Sequence, residues 1–377
     1  MAYLEQERAT LEKFLPGFDK ALADSRLTAL EADDGTAIEM FREVGGPGLI
    51  VPAEDSGLGA DPLEAVRVQR AIGSRSPSLA VASTMHHFSV ASLVELRRTG
   101  GGLEWMLLQG IAEQRQLVAS GFAEGVHAQN VFVPSMRATP QANGSLKVSG
   151  TKKPCSLSTS MDLLTASLGI ARDQGEDDFA VAIIAADSAG VRIEPFWAAP
   201  VLAGAQSHAV ILEDVTVDPA LVVTSGELGD ASLDDVQAAS FLWFELLMTA
   251  SYVGIASALV ERVLHGGRGS SEMRAGLAVE LEAVMASLEG VALRMLADEP
   301  VLPLLTRSLS CRYAAQDAIQ RVASLAVELS GGMSFITDPD VTMLAAATRA
   351  LCFHPPSRHR SSEAILEALA GGELQIA

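Results

Sequence analysis

Between Leu117 and about Val223 the sequence changes texture, and that change constrains the fold more than any other feature. Short β-type runs follow one another there: LKVSG (146–150), DLLTASL (162–168), FAVAIIA (179–185), VRIEPF (191–196) and HAVILEDVTV (208–217). Turn signals such as Asn143-Gly144 divide them. No helical pattern is interleaved, so an antiparallel sheet or barrel is expected, not an alternating parallel α/β unit.

On both sides of this insert the pattern is helical. Residues 2–117 read as helices separated by Gly/Pro turns. Asp61 is placed to cap a helix whose first position is Pro62, ahead of LEAVRVQRAIG. GGPGLIVPAEDSGLGADP (45–62) is too rich in Gly and Pro for a helix and reads as a loop. Helical spacing returns near Asp234 and runs to the end. Within 273–297, Leu277, Leu281, Val284, Leu288 and Val291 recur on one helix face. The stretch 239–264 is apolar almost all round, the mark of a buried helix. The expected division is an N-terminal helical domain (1–117), a middle β-domain (118–228) and a C-terminal helical domain (229–377), an α+β chain that is mostly helical.

A chain of 377 residues exceeds what one ordinary core serves, in keeping with that division. Its formal net charge of −20 counts against a nucleic-acid or anionic-membrane surface, so neither is expected as a partner. The three cysteines, Cys155, Cys311 and Cys352, lie far apart and form neither a disulfide framework nor a metal-binding pair, and no metal is expected. The segment MAYLEQERATLEKF is charged and amphipathic, without the apolar core of a signal peptide, and a cytoplasmic location is the expectation.

Five stretches, in order and covering nearly the whole chain, resemble the acyl-CoA dehydrogenase family. GGPGLIVPAEDSGLGADPLEAVRVQRAIG (45–73) is similar to its N-terminal loop and following helix, and GFAEG (121–125) to the start of its flavin-contacting loop. SGTKKPCSLSTSMDLLTAS (149–167) is similar to its NGxKxWITNG strand, and GAQSHAVILEDVTVDPALV (204–222) to its RxSxTxxLxFxxVxVP segment. CRYAAQDAIQRVASLAVELSGGMSF (311–335) is similar to its helix ending in a Gly-Gly pair. The resemblance implies an antiparallel β-barrel-like middle domain and a C-terminal four-helix bundle. It also implies FAD held between the β-domain and the helices, completed by a second subunit in a homodimer or homotetramer. Ser156 falls where a Thr hydroxyl bonds the reactive edge of the flavin. Phe122, Ala123 and Glu124 fall where backbone meets its pyrimidine edge. Gly331 and Gly332 match a turn near the neighbour's FAD, and Arg268 matches an FAD-phosphate arginine, although GSSEMR (269–274) replaces the aromatic-Gly pair that normally follows it.

The chemistry implied is α,β-dehydrogenation of an acyl thioester on CoA or an acyl carrier protein, with an electron-transfer flavoprotein or oxygen as acceptor. That reaction needs a carboxylate base and donors to an enolate-like oxygen. The family's Tyr-Glu-Gly base is absent. At the matching place stand Phe353, His354, Pro355 and Pro356, and proline has neither a basic side chain nor an N–H. Three readings stay open. The base has moved to Glu245, in the apolar run SFLWFELLMTASYVG (240–254), where burial would raise its pKa. Or the chain is a flavin-dependent monooxygenase that needs no α-proton base, with His86, His87, His354 and Ser156 as groups at the substrate and flavin. Or it is a catalytically silent binding or assembly subunit. The first, a dehydrogenase with Glu245 as base and His86, His87 and His354 facing substrate, is the leading expectation.

Overall fold

The computed structural model describes residues 2–99, 102–125, 134–171, 177–224 and 233–374. Seven helices precede the strands: α1 (Glu5–Phe14), α2 (Phe18–Asp24), α3 (Leu27–Leu30), α4 (Ala37–Glu43), α5 (Pro62–Gly73), α6 (Pro77–Thr99) and α7 (Glu104–Glu113). Asp61 caps α5 through a capping box. Its side chain accepts from the Glu64 N–H at 2.8 Å, while Glu64 accepts from the Asp61 N–H, and Pro62 occupies the first turn. The Gly/Pro-rich stretch before it makes only two short 3-10 turns, Gly46–Gly48 and Ala53–Asp55.

Eight strands follow: β1 (Val118–Gly121), β2 (Arg137–Pro140), β3 (Leu146–Cys155), β4 (Leu163–Ile170), β5 (Asp178–Ala185), β6 (Val191–Glu194), β7 (His208–Val217) and β8 (Val222–Thr224). They form one sheet in the order β6-β7-β3-β2-β4-β5-β8, with β1 also paired to β4. Most pairings in the sheet are antiparallel, as expected. It is mixed, because β1 and β2 both run parallel to β4. Among the described residues the end strands β6 and β8 do not pair, so the sheet is open. The physical reason lies in β4, whose central residues are all buried and which carries partners on both edges.

The second helical set comprises α8 (Leu233–Gly266), α9 (Ser271–Leu296), α10 (Val301–Ser330), α11 (Gly332–Thr337), α12 (Pro339–Ala347) and α13 (Arg358–Leu369). On α9, Leu277, Leu281, Leu288 and Val291 are buried as their spacing implies, whereas Val284 is only half-buried and Met285 takes the core position beside it. α8 is long and apolar enough to cross a bilayer, yet its apolar window is wholly buried among other helices. It packs on α5, α6, α9 and α10. The crossing with α5 is close enough to require glycine on both sides. A Cβ on Gly73 would meet the Ser251 carbonyl oxygen at 2.2 Å, and one on Gly254 the Arg70 oxygen at 2.3 Å. That contact fixes the height of α8 relative to the sheet, and with it the aromatic side chains described next.

Candidate active site

A cavity of about 340 Å³ opens where α6 and α8 meet one end of the sheet, within the size range of small-molecule sites. One side is built by the β-domain. The Phe122–Gly125 segment lines it, together with Pro154, Ser156, Trp197 and Ser207. Glu124 is the reason this segment has a defined shape. Its carboxylate accepts from Lys152 Nζ at 2.6 Å, from the Ser135 N–H at 2.9 Å and hydroxyl at 2.5 Å, and from the Met136 N–H at 3.1 Å. Lys152 is fully buried, and burial lowers its pKa, although Glu124 pulls the other way. The Lys153 N–H also donates to the Ala123 oxygen at 2.9 Å, tying the segment to β3. Ser156 and Ser207 share a hydrogen bond of 2.9 Å, and the buried Ser120 hydroxyl at the cavity wall has no partner.

These features fit a flavin ring. Its polar edge requires hydrogen-bonding groups along one line, and its body requires flat apolar walls. Two paired hydroxyls, one orphaned hydroxyl and the Phe122–Gly125 backbone supply the first, and Trp197 contributes to the second.

The other side is helical. Phe88 of α6 and Phe241 and Phe244 of α8 form an aromatic wall. Phe244 stands edge-on to the His354 ring at 6.2 Å, and Tyr252 edge-on to it at 5.5 Å. The Tyr252 hydroxyl and His354 Nε2 are 2.9 Å apart. Burial, with the Arg312 cation adding to it, pushes the His354 pKa down to about 3, so the ring is neutral at physiological pH. Burial also raises the Tyr252 phenol above its ordinary value, so the phenol stays protonated.

Arg312, on α10 and fully buried, shapes this end. It donates to the carbonyl oxygens of His354, of Pro355 at 2.9 Å and of Leu351 at 3.3 Å, and its Nη1 also reaches Glu245 Oε1 at 2.7 Å. Glu245 therefore does not stand where a substrate-facing base would. It does not line the cavity and meets Arg312 instead, because an anion on a wholly buried helix face finds the nearest cation. Its other oxygen has no partner, and burial raises its pKa to about 7 against the pull of Arg312.

The sequence-derived candidates thus separate. Phe122, Ala123, Glu124, Ser156 and His354 come together at the cavity. For Glu124 the backbone is what remains for a ligand, since its carboxylate is occupied. His86 and His87 do not line the cavity, contrary to their expected substrate-facing role. His86 is locked between backbone groups, with Nε2 donating to the Pro47 oxygen at 2.9 Å and Nδ1 accepting from the Val118 N–H at 3.0 Å, and its pKa falls to about 4 through burial. His87 lies buried against Phe41 and His86 with neither nitrogen bonded. Arg268 donates to the Ser330 oxygen beside Gly331, so Arg268, Gly331 and Gly332 do meet, but on the exposed α10–α11 junction and away from the cavity. Arg358 is held by Asp317 at 3.0 Å. Sequence reasoning missed Tyr252 and Arg312. Tyr252 sits seven residues after Glu245, two helical turns on along the same face, and Arg312 is a lone cation within an apolar helix face.

No family model matches the chain. It is 43% identical over 379 residues, spanning all of both chains, to isobutylamine N-hydroxylase of Streptomyces viridifaciens. Among solved structures it resembles the dibenzothiophene monooxygenase TdsC of Paenibacillus sp. A11-2 in complex with FMN and indole, with a TM-score of 0.83 at 18% identity over 98% of each chain. It also resembles butyryl-CoA dehydrogenase of Megasphaera elsdenii, with a TM-score of 0.84 at 14% identity over 97% of this chain and 98% of that one. The chain belongs to the acyl-CoA dehydrogenase-like flavoproteins, in the same family as isobutylamine N-hydroxylase, and is a flavin-dependent oxidoreductase.

Proposed function

We propose that this protein is a flavin-dependent monooxygenase that hydroxylates the nitrogen of a small apolar primary amine. One observation carries the choice over acyl-thioester dehydrogenation. Among the described residues, neither carboxylate near the cavity is free to act as a base: Glu245 faces Arg312, and Glu124 is saturated by Lys152, Ser135 and Met136. Removal of an α-proton calls on such a base. Oxidation of an amine nitrogen does not, because the nitrogen lone pair is itself the nucleophile. The full-length similarity to isobutylamine N-hydroxylase supplies the substrate class.

A reduced flavin, supplied by an external reductase, would provide the activation of dioxygen; one oxygen atom enters the N–O bond and the other leaves as water. This chain's residues do the rest. The Ser156–Ser207 pair and the Ser120 hydroxyl orient the ring edge. Phe88, Phe241 and Phe244 exclude water and hold the amine's apolar group. The neutral His354 ring, fixed by its hydrogen bond to Tyr252, stands at the cavity wall to orient the amine, and the proton that the nitrogen gives up goes to the departing oxygen, which leaves as water. Because, among the described residues, no free carboxylate faces the cavity, the amine enters uncharged, since an ammonium there would be buried without a counter-charge. We take the flavin to be FAD. A role for Arg268 and Gly331-Gly332 in holding its phosphates would then require a second copy of the chain, because they lie away from this cavity.

The test supplies purified protein with a flavin reductase, FAD or FMN, oxygen and isobutylamine, and assays hydroxylamine formation. Product is expected only with oxygen, and kcat/KM should rise about tenfold per pH unit below the amine's pKa of roughly 10. His354→Ala should weaken amine binding, read mainly as a rise in KM of about fivefold to tenfold, while flavin stays bound. Anaerobic bleaching of bound flavin by an acyl-CoA, with no hydroxylamine from any amine, would overturn the proposal.

A further inference from the structure

Behind the aromatic wall lies a second, smaller pocket of about 30 Å³, between α6, the sheet and the start of α8. Its walls are mainly aliphatic: Leu93 and Leu96 from α6, Val181 and Ile183 from β5, Val223 from β8 and Val236 from α8, with Gln237 of α8 beside them. Four hydroxyls that border it are engaged with the protein itself. Ser89 bonds Thr165 at 2.7 Å, Ser92 donates to the Phe88 oxygen at 3.2 Å, and Ser240 donates to the Val236 oxygen at 2.6 Å. The pocket therefore offers mainly contact to hydrocarbon, and among the described residues no charged side chain lines it.

Among the described residues, Phe88 and Phe122 alone border both this pocket and the main cavity. Their rings meet edge to face at 5.1 Å, and Phe88 meets Phe244 in the same way at 5.7 Å. The two are not equivalent. Phe122 belongs to the segment that lines the flavin side. Phe88 stands on α6, outside that segment, and its ring closes the helical end of the cavity.

We propose that Phe88 is the residue that sets the length of the apolar substituent this enzyme takes. The pocket behind it would receive the end of a longer chain once the ring is cut back. This rests on the amine N-hydroxylase reading above, and deepens it from a class of substrate to the side chain that bounds it.

The experiment compares wild type, Phe88→Ala and Phe88→Leu on isobutylamine and the n-alkylamines from propylamine to decylamine. Two readouts are taken: hydroxylamine formation, and amine-induced change in the visible spectrum of the oxidised flavin-loaded protein without reductant. Each methylene that gains a buried place should strengthen binding about fourfold. In Phe88→Ala the preference for hexylamine over isobutylamine should therefore rise about tenfold or more, mostly through KM, with the same trend in the spectral titration. Phe88→Leu should shift the optimum in the same direction by less, and it keeps the test alive if the alanine variant does not fold. A chain-length profile parallel to wild type in the folded variants, by either readout, would overturn the proposal. If wild type forms no hydroxylamine from any amine, it is the functional reading that fails, and the spectral titration still decides the role of Phe88.

Discussion

Two buried ion pairs flank the same cavity, and they are built differently. On the sheet side, Glu124 meets Lys152 and receives three further donors, while Lys152 also donates to Ser167 at 3.1 Å. On the helical side, Glu245 meets Arg312, but Glu245 Oε2 and Arg312 Nε have no partners. Both pairs hold a backbone segment at the cavity wall, one the Phe122–Gly125 segment and the other the His354–Pro356 turn. In the saturated pair each side-chain polar atom meets a partner. The unsaturated pair holds a carboxyl group that burial pushes to about pKa 7, so its charge state is open to the solution pH. A buried charge is structural where every donor and acceptor is matched, and sensitive where one is left over.

The largest expected effect comes from breaking the saturated pair. Lys152→Met leaves the Glu124 carboxylate buried without its cation, which should cost about 3–5 kcal/mol of stability. Urea unfolding of the two proteins measures it. A loss below about 1 kcal/mol would mean that the lysine is dispensable to the segment and that the comparison is wrongly drawn.

Arg312→Met tests the other pair and should cost less at low pH. Glu245, left alone, takes up a proton, and what is lost is mainly donation to the oxygens of Leu351, His354 and Pro355, on the order of 2 kcal/mol. The cost should then grow from about pH 6 to about pH 8, as keeping the buried carboxyl protonated becomes harder. A cost that does not change with pH would mean that Glu245 takes up no proton when left alone, and would remove the distinction between the pairs.

The contrast also shows why the fold was legible in the sequence and the site only partly so. The helix–strand–helix order depends on local periodicity and turn residues, and β3, β4, β5, β6 and β7 each fall on a run that alternation or β-branched content marks out. The parallel pairing of β1 with β4 joins residues 45 positions apart, for example Val118 with Leu163, and no local pattern encodes it. Ser156 and the Phe122–Glu124 segment could be located because each sits inside a longer matching stretch. Glu245 could be found but not oriented. A carboxylate on an apolar helix can turn toward a cavity or toward another helix, and the deciding partner, Arg312, lies 67 residues away. The adjacent histidines show the same gap, since only the packing of α6 against Pro47 and Val118 removes His86 from the substrate side.

The smallest effect is expected from Glu245→Gln, and it separates the two readings of that residue. The folded pKa of Glu245, about 7, lies above the ordinary 4.5. The folded state therefore holds a proton that the unfolded state releases more readily. This group's contribution to stability is fully present below about pH 4.5 and is lost as pH rises through about 7. Glutamine keeps an oxygen for Arg312 and removes the titration. At about pH 6 the variant should lie within about 1 kcal/mol of wild type, and by about pH 8 its stability should have fallen less, as thermal unfolding across that range would read. Because the side chain faces Arg312 and not the cavity, hydroxylamine formation should stay within about threefold of wild type, well short of the 10²-fold or greater loss that removal of a proton-transferring group brings. A loss of that size with flavin still bound would mean that the Glu245–Arg312 pair opens during turnover, and the unpartnered Oε2 would then be the oxygen that reaches the substrate.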